Sequence, residues 1–133
     1  MGFRFWIIAA GLLGALGVFL GAVGSHMLAD TLTGDKAVWF EKAWRYHMIH
    51  VFAILFCSWL IWVFDHGMES HGSWSARLSA VFFFFGILLF SGTLYMKAIM
   101  GGSPLIPLIP IGGVSFILGW VMMMVSGFRI PRF

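Results

Sequence analysis

The chain has 133 residues, of which 61% are hydrophobic and only 10% are charged, whereas about a quarter of the residues of a soluble domain carry charge. With a mean hydropathy of +0.98, this composition excludes a soluble domain and indicates an integral membrane protein with one domain, residues 1–133. The net charge of +3 arises from basic residues dispersed between apolar runs, so we predict no nucleic-acid partner. The single cysteine, Cys57, excludes an internal disulfide and a CxxC redox pair.

Four apolar runs are long enough to cross a bilayer, at about residues 6–25, 46–64, 78–97 and 104–125. We therefore predict an all-α membrane protein whose four transmembrane helices form an antiparallel bundle. Steps of three and four from Trp39 to Cys57 extend the second helix back to about residue 35, as an interfacial helical extension before the second span. Pro110 is expected to kink the fourth helix or to mark its true start.

Glycines recur on one face of the first span, at Gly14, Gly17, Gly21 and Gly24. An exposed helical glycine costs about 1 kcal/mol relative to alanine, so we expect another backbone to approach this seam closely. We also expect the first helix to be the centre of the bundle. A second small-residue seam for helix packing contains Gly112 and Gly119 in the fourth span.

The alternation of four spans brings several polar side chains to one side of the membrane. An ionisable group inside a span is costly and is a candidate for function. One hypothesis is a cofactor-binding cluster for a metal, a haem or a quinone, although the sequence identifies no particular cofactor. The alternative is a neutral His50 that donates a hydrogen bond to a carbonyl of the neighbouring helix. The candidate cluster consists of His26, Tyr46, His47, His50, Tyr95 and Lys97.

Within this cluster, a metal would be held by the imidazoles of His26, His47 and His50, because imidazole suits zinc, copper or iron. The remaining histidines, His66 and His71, lie in a polar loop between the second and third spans. We expect both of them to be solvated.

The sequence lacks the motifs of common enzymes. No GxSxG, HExxH or phosphate-binding loop occurs, and none of the five acids lies in a span, which disfavours a proton-coupled carrier. The leading hypothesis is a non-enzymatic subunit, assembly factor or lipid-binding bundle. Its predicted partners are membrane lipids and either its own copies or a larger membrane complex. A redox or ligand-binding subunit and a passive channel formed by several copies stay open as alternatives.

The orientation of the chain depends on few charges. Four spans place both termini on one side, and basic residues flank the two sides in equal number. Acids dilute the positive charge of the first loop. We therefore predict that the termini face the cytoplasm.

Four motifs together resemble the YgdD-like small integral membrane proteins, the family of domain of unknown function four-two-three. The motifs are GAVGSHML at 21–28, WFEKAWRYHMIHVFAIL at 39–55, GILLFSGTLY at 86–95 and PIGGVSFILGW at 110–120. The resemblance implies a four-helix protein of the bacterial inner membrane, without an established activity. The chain differs from the family pattern at His47, where glutamine is usual, and at Ser25, where alanine is usual. The resemblance points to Gly21, Gly24, His26, Trp39, Ala43, Tyr46, His50, Ser91, Gly92, Tyr95, Pro110, Gly112, Gly113 and Gly119.

Overall fold

The structure, a computed structural model, describes residues 1–67, 73–102 and 104–130. These residues form helices and turns, which confirms the predicted all-α class. A π-helical segment, Val23–Met27, prolongs the first helix, and another, Ile87–Gly92, joins α3 to α4. His71 of the polar loop lies outside the described residues. The α-helices are α1 Phe3–Ala22, α2 Asp35–His66, α3 Ser73–Gly86, α4 Thr93–Met100 and α5 Leu108–Gly127.

Four helical segments in the described part of the chain are long and apolar enough to cross a membrane: Phe3–Met27, Asp35–His66, Ser73–Met100 and Leu108–Gly127. These are the first to fourth spans. The start of α1 contacts the end of α2, since the Ser58 hydroxyl donates to the Phe3 carbonyl over 2.7 Å. The π-helical segment that prolongs α1 contacts the beginning of α2, where Gly24 lies against the ring of Phe40.

The fourth helix begins later than the sequence pattern predicts. Residues 104–107 form a turn, and the Leu108 amide donates to the Leu105 carbonyl over 2.8 Å. Pro110 consequently falls in the first turn of α5, where the backbone nitrogen has no intrahelical partner to lose. Pro110 therefore lies at the start of the fourth helix.

The second and third spans form the centre of the molecule. In the most apolar stretch of each span, 56% of the second and 50% of the third are buried, against 17% of the first and 22% of the fourth. The expectation that the first helix is central is therefore wrong. Its glycines allow one close contact, with α2, and a close contact on one face does not surround a helix.

Glycines set the distance between α1 and α2. A Cβ atom added at Gly21 would lie 2.9 Å from Nε1 of Trp44, and one at Gly17 would overlap the sulfur of Met48. Gly14 has more room, since a Cβ there would lie at the ordinary distance of 3.5 Å from Val51. The indole of Trp44 donates a hydrogen bond of 2.9 Å to the Gly17 carbonyl, so the close approach also satisfies a polar group.

The third and fourth spans approach still more closely. A Cβ atom added at Gly112 would overlap the backbone nitrogen of Phe90 in the second π-helical segment, and Gly119 lies against the ring of Phe83. The hydroxyl of Ser79 donates to the Gly119 carbonyl and that of Ser115 to the Phe82 carbonyl, each over 2.7 Å. Small residues and hydroxyl groups therefore hold these helices together, as is common in membrane bundles.

Candidate functional site

The predicted polar cluster divides between two sides of α2. His47 and His50 lie one turn apart and are both buried, but they face different neighbours. His47 lies beside α1 and Tyr95 of α4, whereas His50 packs against α5. The two imidazoles therefore belong to separate environments.

His50 is held by two hydrogen bonds and by contacts with four neighbouring rings. Its Nε2 lies 3.2 Å from Nε1 of Trp120, and its Nδ1 lies 2.7 Å from the Tyr46 carbonyl oxygen. An indole N–H donates only, so Nε2 accepts this hydrogen bond and Nδ1 carries the proton that is donated to the carbonyl. The ring stacks on Phe116, with 3.6 Å between centroids. This arrangement is that of a neutral histidine, although its carbonyl partner belongs to its own helix and not to the neighbouring one.

His47 has less complete hydrogen bonding. Only 1% of its surface is exposed, and its Nδ1 lies 3.4 Å from the Tyr95 hydroxyl. Its Nε2 faces α1 and forms no hydrogen bond of normal geometry, with the Leu13 carbonyl beside the ring. A Cβ atom added at Gly17 would lie 3.7 Å from this nitrogen. His47 therefore lies in a tight contact of α2 with α1 and α4.

Of the other three candidates, Tyr46 lies beside His50, while His26 and Lys97 have other surroundings. His26 is exposed in the first π-helical segment. Lys97 places its ammonium 3.8 Å from the ring centroid of Trp39, which is a cation–π contact. Tyr46 is exposed to the surroundings of the bundle and contacts the ring of Phe90.

The three histidines predicted to hold a metal are not brought together. Within residues 1–67, 73–102 and 104–130, no three His, Cys, Asp or Glu side chains lie close enough to share one ion. His47 contacts α1 and α4, whereas His50 contacts α5, and His26 is exposed. The geometry therefore offers two histidine environments and no assembled three-histidine set.

Two open grooves lie on either side of α2. A groove of about 560 Å³ lies between α1 and α2 and is lined by apolar side chains that include Leu32, Phe40 and Trp44. A second groove, of about 470 Å³, lies beside Tyr46 and His50 and is closed at its back by the rings of Phe90, Phe116 and Trp120. We call them the α1–α2 groove and the aromatic groove. Both volumes are in the range of ligand sites, about 300–1,000 Å³.

Two tryptophans matter to these environments and were missed by the sequence-based interpretation. Trp44 donates to the Gly17 carbonyl, and Trp120 donates to His50. The available signal is chemical: an indole N–H inside an apolar span needs an acceptor. The position of that acceptor depends on the neighbouring helix, which the spacing of tryptophans does not reveal.

Known sequences similar to this chain are membrane proteins. Residues 20–113 match the family described as "Protein of unknown function (DUF423)". The chain is 34% identical to the UPF0382 inner membrane protein YgdD of Escherichia coli K12 over 129 residues, which cover 97% of this chain and 93% of that protein. It is 33% identical to a UPF0382 membrane protein of Staphylococcus saprophyticus, over 96% of this chain and 99% of that protein. No solved structure matches.

Proposed function

This chain belongs to the DUF423 family of membrane proteins, and we propose that it works as a non-enzymatic subunit that associates with its own copies or with another integral membrane protein. The observation that carries the proposal is the contrast between the inner and outer spans. Polar groups at the centre, Ser79 and His50 among them, are used in helix packing, while the outer spans leave most of their residues unburied.

The hydrogen bonds of the central helices support a structural role for their polar groups. His50 uses both ring nitrogens, and the Cys57 thiol donates to the Ser79 hydroxyl over 3.2 Å. Ser79 in turn donates to the backbone of α5. A catalytic group needs a free atom that reaches a substrate, and these groups are engaged with other helices.

The exposed faces of α1 and α5 are the surfaces that we propose for association. Leu12 on α1 is 69% exposed and Ile117 on α5 is 63% exposed. Without a hydrophobic driving force between helices in lipid, association depends on close packing of such faces. We expect a neighbouring protein to contact one or both of them.

Photocross-linking in the native membrane tests this proposal. We expect p-benzoylphenylalanine at position 12 or 117, replacing Leu12 or Ile117, to link the 14.9 kDa chain to a second protein. Phe52 of α2 is a matched control, because it is equally exposed, at 64%, but lies on a central helix. We expect a several-fold lower yield of protein adducts from position 52. Equal yields from all three positions, or no protein adduct from 12 and 117, would contradict the proposal.

We further propose that the chain lies in a bacterial inner membrane with its termini in the cytoplasm. Relatives named as inner membrane proteins support the location, and the acids Asp30, Asp35 and Glu41 that follow the first span support the orientation. Alkaline phosphatase fused to the C-terminus should be inactive, because its disulfides form only outside the cytoplasm. An active fusion would contradict the proposed orientation.

A bound small ligand is the second candidate function. The aromatic groove supports it, because Tyr46 is exposed there beside the stacked rings of His50 and Phe116. A planar ring such as a quinone headgroup is the type of ligand that these aromatic surfaces would accept. Extraction in mild detergent should then retain the ligand, and the His50→Ala variant should lose it.

A further inference from the structure

The α1–α2 groove has a preformed apolar wall. Trp44 is fixed by its hydrogen bond to the Gly17 carbonyl, and Phe40 packs against Gly24 on one side and edge-on against Tyr95 on the other. Because Gly21 and Gly24 have no side chains, the first span adds no bulk over these rings. The groove continues past the end of α1 to Ala29 and Leu32 in the connecting turn.

The groove lies at the height where the hydrocarbon meets the headgroups. Trp44 contacts Gly17 and Phe40 contacts Gly24, so the charged stretch around Glu41 runs beside the last turns of α1. Charged side chains are excluded from the hydrocarbon core. Val18 lines the same groove but precedes Gly24 on the first span, so it lies deeper in the membrane, where it is apolar and 64% exposed. The groove therefore runs from the headgroup level into the hydrocarbon, which is the range of depth that a phospholipid occupies.

A charged residue, Glu41, lines the groove and forms an ion pair with its neighbour on α2. Its carboxylate pairs with the guanidinium of Arg45 on the next turn, and both side chains are largely exposed. A headgroup with an ammonium and a phosphate complements these charges, because the ammonium pairs with the carboxylate and the phosphate with the guanidinium. An anionic headgroup would instead place a second negative charge beside Glu41.

From these observations we infer that the α1–α2 groove is a binding site for one zwitterionic phospholipid of the phosphatidylethanolamine type. One acyl chain lies along Val18, Phe40 and Trp44, and the headgroup lies at Glu41 and Arg45. The inference does not depend on association of the chain with other proteins, since every wall of the groove comes from α1, α2 and their connection.

Native mass spectrometry of the full-length protein in mild detergent tests this site. Phosphatidylethanolamine and phosphatidylglycerol with the same acyl chains are added in equal amounts. We expect one phosphatidylethanolamine per chain, retained about tenfold better than phosphatidylglycerol, a difference of about 1.4 kcal/mol. Ala37 lines the groove, so Ala37→Trp should fill it and reduce retention about tenfold. Glu41→Gln should remove the preference between the two lipids while some lipid stays bound.

A matched control lies at the next residue. Val38 is exposed on α2 but does not line the groove, so Val38→Trp should retain the lipid as the wild type does. If Ala37→Trp does not fold, Val18→Trp fills the groove from the α1 side and decides the question. Undiminished retention in the folded filling variant would overturn the inference, as would equal retention of both lipids by the wild type. A lipid-free dimer that Ala37→Trp dissociates would assign the groove to a second copy of the chain and would also overturn it.

Discussion

Gly112→Ala is expected to lower the free energy of unfolding by about 3 kcal/mol, at the upper end of the usual cost of overpacking. A Cβ atom at this position would overlap the backbone nitrogen of Phe90 and would lie 2.9 Å from the carbonyl carbon of Leu89. Side chains can rotate away from a clash, but a helical backbone moves only as a unit. The fourth span would therefore have to separate from the third.

Gly113→Ala is the matched control for this prediction. A Cβ atom at Gly113 would meet only Cδ2 of Phe90, at an ordinary 3.9 Å, so the change should alter stability by no more than about 0.5 kcal/mol. Unfolding in mixed micelles with increasing dodecyl sulfate measures both variants. Helix propensity alone would make both changes stabilising. Equal effects at the two positions would therefore disprove the backbone contact.

His50→Ala is expected to cost about 2–4 kcal/mol of stability, through loss of buried ring contacts and of two hydrogen bonds. Trp120 would keep an indole N–H without its acceptor, and Phe116 would lose its stacking partner. The same unfolding measurement detects this loss. His26→Ala is the control, because His26 is exposed at the end of the first span, and its effect should stay within about 0.5 kcal/mol. A comparable cost for both variants would indicate that the two histidines share one site.

The sequence predicted the fold class well because membrane spans depend on simple quantities. Length and apolarity of each run identify a helix that crosses the bilayer, and the four candidate spans follow from them. The glycine pattern suggested that another backbone approaches the first span closely. The closest neighbours of Gly17, Gly21 and Gly24 are instead side chains of α2. The pattern did not reveal which helix is central, because that depends on how many faces of a helix are covered. The second span has a weaker small-residue signal and is nevertheless the most buried.

The candidate site was harder to predict because a side chain's direction around its helix matters as much as its depth in the membrane. His47 and His50 are about 60° apart around the α2 axis, since each residue turns a helix by about 100°. That difference is enough to direct one ring to α1 and the other to α5. The order of the spans determines on which side of the membrane a residue lies. It does not determine which neighbouring helix its side chain faces. The partners Trp44 and Trp120 therefore became apparent only from the packed helices.

Native mass spectrometry of gently extracted protein distinguishes association with other chains from a ligand-binding role, because one spectrum reports copies, partners and bound groups. We predict masses that correspond to several 14.9 kDa chains or to one chain with a second membrane protein, without a haem or a metal ion. A single chain that carries a metal, a haem or a quinone, and loses it in the His50→Ala variant, would contradict the account and would favour a ligand-binding role.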